Sequence, residues 1–196
     1  MVIEATVNTA TIVRLLRPFA RRVVIANPLQ VRAIAHAKVK IDAAVPAKLH
    51  ASGFLPEVWM PGEATEALRR LVAQRNQVVR QMTRVKNRVH AVLHADLIPP
   101  YRGDLFGAAG RSWVAEQPLA EDERLAVRRH LAVLDRRAAD LAALDQALAG
   151  CALDDERVRR LMTIGGLHAA VALGLLAAIG DVARSAPPRS WSATSG

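Results

Sequence analysis

Residues 63–95 read EATEALRRLVAQRNQVVRQMTRVKNRVHAVLHA, and this stretch decides the architecture. Leu68, Leu71, Val72, Val78, Val79, Met82, Val85, Val89, Val92 and Leu93 recur at steps of three and four. An α-helix repeats every ~3.6 residues, so the pattern predicts one amphipathic helix of about nine turns. Between the apolar positions stand Arg69, Arg70, Arg75, Arg80, Arg84, Lys86 and Arg88, opposed only by Glu63 and Glu66. The helix therefore carries an apolar seam on one side and a cationic rail on another.

The seam needs a partner, and the sequence downstream offers one. Ile98-Pro99-Pro100 ends the first helix, and a polar, Gly-containing connector follows from Tyr101 to Pro118. From about Glu121 to Ala149 the positions Val127, Leu131, Leu134, Ala138, Leu141 and Leu148 alternate steps of four and three. That is a heptad-like seam, with Asp145 between its last two members. Two helices of similar length joined by a short connector predict an antiparallel helical hairpin or coiled coil.

Upstream, the pattern changes to short β-branched runs. Val2-Ile3 leads into Glu4, an acidic residue near the end of a predicted strand. Asn8 or Thr9 can cap a helix from Thr11 to Leu16, which Pro18 stops. Residues 22–26, Arg-Val-Val-Ile-Ala, read as a buried strand, and Pro28 suits the first turn of a helix running to about His36. Strand, helix, strand, helix implies parallel pairing. Residues 38–50 predict a further helix start around Asp42, disturbed by Pro46, and residues 52–62 read as a loop exposing Phe54 and Trp59.

After the hairpin, Asp154 or Asp155 can cap a helix over Glu156–Met162. Residues 161–180 form two apolar helical pieces around Gly165-Gly166. Gly166, Leu167 and Ala172 fit a helix-hairpin-helix element, with His168 where a second turn glycine is expected. The Pro- and Ser-rich tail, residues 185–196, reads as disordered.

Composition narrows the function. The chain has 196 residues, a net charge of +9 and 52% apolar content, ample for a folded core. The basic excess lies early: residues 1–62 hold 8 Lys/Arg against 3 Asp/Glu, and residues 63–95 hold 7 against 2. An anionic partner fits that distribution, as does a solvated helix face. Cys151 is the single cysteine, which excludes an internal disulfide and a thiolate metal cluster. No signal peptide opens the sequence and glycines interrupt the apolar run at 161–182, so a soluble, cytoplasmic protein without a membrane partner is expected. His90 and His94 share a helix face without an acid between them or a third ligand nearby, which argues against a metal site there. Glu4 and Asp42 are compatible with a two-metal phosphoryl-transfer site and equally with surface acids.

Several stretches together carry a family resemblance. Glu4-Ala-Thr, then VVIANPLQVRAIAHAKVK and IDA, then ATEALRRLVAQR with TRVKNRVHAVLH, and finally GLHAAVALGLLAAIGDVAR resemble the transposases of the insertion sequence 110 family. The likeness spans residues 1 to about 184. It implies a RuvC-like (RNase H-like) N-terminal domain with a DEDD carboxylate set, a coiled coil, and a C-terminal domain that supplies a nucleophilic serine. It also implies Mg²⁺ as cofactor, DNA as substrate, and a structured guide RNA as partner.

Carried onto this chain, Glu4 matches the glutamate of the family's E-A-T-G, with Val7 in place of the glycine. Asp42 matches the last aspartate of K-T-D-K-x-D-A, which here reads K-V-K-I-D-A, without T-D-K. The family's first aspartate and its serine have no counterpart, so a chain truncated at both ends is expected. Glu4 and Asp42 are then the expected catalytic and metal-binding residues, and Arg69, Arg70, Arg75, Arg80, Arg84, Lys86 and Arg88 the expected nucleic-acid contacts.

The expected fold is mainly α with a small α/β part. Residues 1–61 form a partial RuvC-like piece, 62–150 the helical hairpin or coiled coil, and 151–184 the start of an incomplete helix-hairpin-helix-like C-terminal segment. The expected role is a transposase by family that binds nucleic acid without completing catalysis. Incomplete pairing of its sheet favours a homo-oligomer.

Overall fold

The computed structural model describes residues 1–34 and 43–181. Asp42, the helix continuation towards His36, the helix start before residue 43, and the tail at 185–196 lie outside the described residues. The chain is mainly helical and divides into two compact units, Met1–Gly62 and Glu63–Gly196.

In the first unit, β1 (Val2–Glu4) runs parallel to β2 (Val24–Ala26), with Val2 opposite Val24 and Glu4 opposite Ala26. All three β2 residues are buried, as a continuous apolar run in a central strand requires. The second edge of β2 is also occupied. Ala26 bridges Glu57 in antiparallel sense, the Val58 amide donates to the Ile25 carbonyl at 2.7 Å, and the Asn27 amide donates to Pro56 at 2.9 Å. The stretch expected to be only a loop thus covers an edge that would otherwise leave backbone groups unpaired. Its aromatics differ: Phe54 is exposed, whereas Trp59 is half-buried.

Helix α1 spans Thr9–Leu16, with Asn8 at its N-cap but without a capping side-chain bond. Thr9 is buried instead, accepting from the Thr6 amide at 2.6 Å and donating to the Thr6 carbonyl at 2.7 Å. Helix α2 (Pro28–Ile34) opens with proline, whose missing N–H costs nothing at that position. Asn27 Oδ1 accepts from the Leu29 and Gln30 amides. Helix α3 (Ala44–Ala51) places Pro46 in its first turn, where the ring packs buried without breaking an intrahelical bond.

In the second unit, α4 (Glu63–Ala95) and α6 (Glu121–Leu153) are both 33 residues long. Val89 and Leu93, late in α4, share a core with Val127, early in α6. Leu68, Leu71 and Val72, early in α4, pack on Leu148 and Ala152, late in α6. Early residues of one helix thus meet late residues of the other. Between the two cores, Val78 and Val85 of α4 and Leu134 of α6 are buried, whereas Val79 points outward. Each fully buried Val or Leu contributes about 1.5–3 kcal/mol, so these two clusters hold the unit together.

Each end of the pair is closed by a smaller element. The connector at 101–118 contains a helix that apolar periodicity did not reveal, α5 (Ala108–Ala115), which contributes Val114 and Trp113 to the first core. At the other end, α7 (Glu156–Met162) starts at Asp155, whose side chain accepts from the Arg157 amide. Gly166 turns the chain with φ +86, a conformation L side chains rarely adopt, and α8 (Ala169–Ile179) then buries Ala172, Leu173 and Leu176 in the second core. Cys151, near the end of α6, is exposed. Among the described residues, no helix is long and apolar enough to cross a membrane.

Gly110 makes the closest approach in the unit. A Cβ there would lie 2.5 Å from Leu105 Cα and would press on the Asp104 carbonyl, both of them backbone. Gly110→Ala is therefore expected to destabilise the second unit by about 1–3 kcal/mol, through overpacking. Denaturant titration followed by circular dichroism measures it, and a change within experimental error would contradict the packing.

Two carboxylate arrangements give opposite pH responses. Arg111 binds Asp135 at 2.7 and 3.0 Å and holds its carboxyl below the usual range. That contribution is present above the ordinary carboxylate pKa of ~4 and is lost as the pH falls through the depressed value. Glu123 is instead raised, by its hydrogen bond to Asp96, by burial, and by the Asp96 and Asp122 charges. Its contribution is present at acid pH and lost as pH rises through the raised value. Asp96→Asn should accordingly raise the melting temperature at neutral pH, with the gain shrinking on acidification to ~pH 4. A gain independent of pH would show that the pair is not the source.

Candidate nucleic-acid interface

The seven cations of the α4 rail do not share one environment. Arg69 donates from Nε to the Ala177 carbonyl at 2.6 Å and from Nη2 to Ala178 at 3.1 Å. Those carbonyls belong to the last turn of α8, where a cation satisfies acceptors that the helix itself cannot. Arg75 Nε lies 2.5 Å from Asp145 Oδ1, so the acid interrupting the α6 seam meets a cation of the rail. Arg70 stands 3.8 Å from Glu66 one turn earlier, a spacing worth little on an exposed surface. Lys86 Nζ sits 5.0 Å from the centroid of the Phe106 ring, within cation–π range.

Arg80, Arg84 and Arg88 remain. All three are exposed, and among the described residues none has a hydrogen-bond or ion-pair partner. Steps of four advance about 40° past a full turn and rise ~6 Å, so the three guanidinium groups form a gently winding line along the outer face of α4. Val78, Val85 and Val89 are buried across the helix from Arg80, and about 60–100° round it from Arg88. The rail thus separates into cations that hold the fold and cations that face solvent. Exposed arginines 129 and 136 on α6 likewise lack partners among the described residues, and sequence reading had not singled them out.

Beyond the line, at the end of α4, a cavity of about 730 Å³ opens. Asn87, His90 and His94 from α4 form one wall, and Tyr101 and Phe106 from the connector line it too. Its position depends on how α4 stops. Leu97 adopts a left-handed φ of 56, and the Ile98 amide returns to the Leu93 carbonyl at 3.0 Å. That closure sends Pro99 and Pro100 away from the helix axis and lets the connector fold back. Phe106 meets His90 edge-on with centroids 5.5 Å apart, and Tyr101 leans on Trp113 at 5.1 Å. The signal for this cavity in the sequence was weak, because its aromatics lie in a segment without periodicity.

The carboxylates are placed less completely. Glu4 is exposed at the carboxyl end of β1, the side on which parallel sheets commonly hold ligands. Asp42 lies outside the described residues, so the distance between the two acids is not defined. Among the described residues no three His, Cys, Asp or Glu side chains gather as a metal site. Mg²⁺ is commonly held by one or two carboxylates with waters completing its octahedron, and of the expected pair only Glu4 is among the described residues.

No curated protein matches the chain. Residues 1–96, which take in the parallel strand pair, Glu4, Asp42 and the whole of α4 with its arginine line, match the DEDD transposase family of insertion sequence 110, described simply as "Transposase". That match covers just under half of the chain and supports an insertion sequence 110 family transposase.

Proposed function

We propose that this chain serves DNA transposition by gripping nucleic acid along α4, and that it does not carry out strand cleavage on its own. The observation behind the grip is the line Arg80, Arg84 and Arg88, which is exposed and lacks protein partners among the described residues. Guanidinium groups recognise phosphate bidentately and keep their charge at any physiological pH. Neutralising phosphates releases condensed counterions, so such binding weakens as salt rises. DNA and a structured guide RNA are the ligands this reading names.

The departure inside the Asp42 motif supports binding without cleavage. K-V-K-I-D-A lacks the T-D-K of the family pattern and with it a carboxylate. Groups of a coupled catalytic set act as a unit, so the loss of one removes most of the rate. In this reading Glu4 and Asp42 are the surviving members of a Mg²⁺-binding set in an RNase H-like piece at residues 1–61. Residues 62–150 act as a coiled-coil spacer, and residues 151–184 open a C-terminal transposase domain. Exposed Leu15, Phe19 and Leu29 in the first unit would support a homo-oligomer.

The test combines affinity and chemistry. Reversing Arg80, Arg84 and Arg88 to Glu should weaken duplex DNA and structured RNA binding and reduce the logarithmic salt slope by up to about 3, one per phosphate contact. Arg75→Glu would act instead on stability, by breaking its contact with Asp145. Equal affinity of the triple variant and the parent, in a gel-shift titration at low and physiological salt, would refute the grip. A DNA-nicking assay in Mg²⁺ should show no activity above that of Glu4→Ala. Cleavage that disappears in Glu4→Ala would instead establish a working carboxylate site.

A further inference from the structure

The cavity at the end of α4 lies on the same face as the arginine line. Counted at about 100° per residue, positions 84, 87, 91 and 94 fall within a sector of roughly 80° centred near that of Arg80, and Arg88 stands about 40° outside it. Asn87, Ala91 and His94 line the cavity, so a strand following Arg80 and Arg84 along the helix, with Arg88 at its flank, reaches the mouth. The ~6 Å rise between these arginines is comparable with the separation of successive phosphates on an extended strand. Its volume, about 730 Å³, is in the range that holds small organic groups.

The chemistry of the walls points to a flat, partly polar occupant. Tyr101, Phe106 and Ile98 offer apolar and aromatic surface, while Asn87 and His94 carry side-chain donors and acceptors without partners among the described residues. Asn presents an acceptor and two donors, the set that reads a base edge. A base paired in a duplex has that edge and both faces occupied, whereas an unpaired base has them free. Exposed Arg102, beside the cavity in the connector, adds a further unpartnered cation.

We infer that the end of the α4–α6 pair is a receptor for an unpaired nucleotide of a single-stranded polynucleotide. Its base enters the cavity among Asn87, His94, Tyr101 and Phe106, and the flanking phosphates lie on Arg84 and Arg88. This rests on the reading of the arginine line as a nucleic-acid contact, and adds to it a preference for single strands over duplex. The occupant is recognised by ring stacking and by one polar edge, so modest sequence preference and marked strand preference are expected.

The decisive comparison uses the full chain and three labelled probes of about a dozen nucleotides: an intact single strand, the same strand with abasic sites, and a duplex. Fluorescence anisotropy should show the intact strand bound about tenfold more tightly than the abasic one, the effect expected of one stacked base. Ala91→Leu, which fills the cavity mouth from its wall without adding a stacking ring, should bring the intact strand towards the abasic level. His94→Ala, with circular dichroism confirming the fold, should give a smaller loss in the same direction. Repeating the series with DNA and RNA sugars identifies which polynucleotide is preferred.

Equal affinity for intact and abasic strands, with the Arg80/Arg84/Arg88 triple variant weakening both, would overturn the receptor while leaving the arginine line standing. Tighter binding to duplex than to the intact strand would overturn it as well. Absence of binding to all three probes would remove the arginine line and the receptor together.

Discussion

A helix of 33 residues with an apolar stripe along its length draws most of its stability from burying that stripe, and the second unit is organised by that constraint. The stripe of α4 is buried by α6, a helix of equal length whose order of contacts is reversed, so one helix buries the other without overhang. Where the two meet at Arg75 and Asp145, a charged pair replaces apolar contact at 2.5 Å. Asp145 is still partly exposed, so the pair adds little energy and mainly fixes which residues face each other. Every smaller element of the unit then covers an end: α5 and its connector at one, α7 and α8 at the other.

The same constraint sorts the cations. A helix face wide enough to bury its seam leaves only part of its circumference for solvent. Arginines near the boundary, Arg69 and Arg75, are drawn into partnerships with α8 and α6, and Arg80, Arg84 and Arg88 remain on the outside. Fold and candidate function thus draw on one residue type along one helix, separated by angle. This is why the net charge of the chain overstates its binding surface: part of it neutralises helix ends and seam acids.

Much of this was legible in the sequence, for reasons that can be named. The bounds of α4 and the start of α6 follow from unbroken three–four periodicity ended by paired prolines or begun by acids, and α7 follows from a capping aspartate. The first strand pair was readable from β-branched runs ending in Asn-Pro. What escaped was non-local. The Ala26–Glu57 bridge joins a strand to a proline-bounded stretch with no strand pattern of its own. Helix α5, AAGRSWVA, has only eight residues, and its Gly110 reflects contact with backbone five residues earlier rather than a break. The seven rail cations were read as one surface, although at about 100° per residue Arg75 and Lys86 fall on the seam side, and no spacing shows α8 arriving beside Arg69. The cavity depended on where the connector returns after Leu97, which no spacing records. The carboxylate motif was legible as a pattern, but its geometry turns on Asp42, which no spacing alone can place against Glu4.

The exposed Cys151 is the sole thiol of the chain. It lies two residues before the end of α6, whereas the cavity adjoins the opposite end of the helix pair, some 45 Å away if 30 residues each rise ~1.5 Å. A maleimide dye can therefore be attached at one chemically unique point, remote from the arginines and from the cavity. Paired with an acceptor on an oligonucleotide, it turns the long axis of the helix pair into a ruler for where, and in which polarity, a bound strand lies.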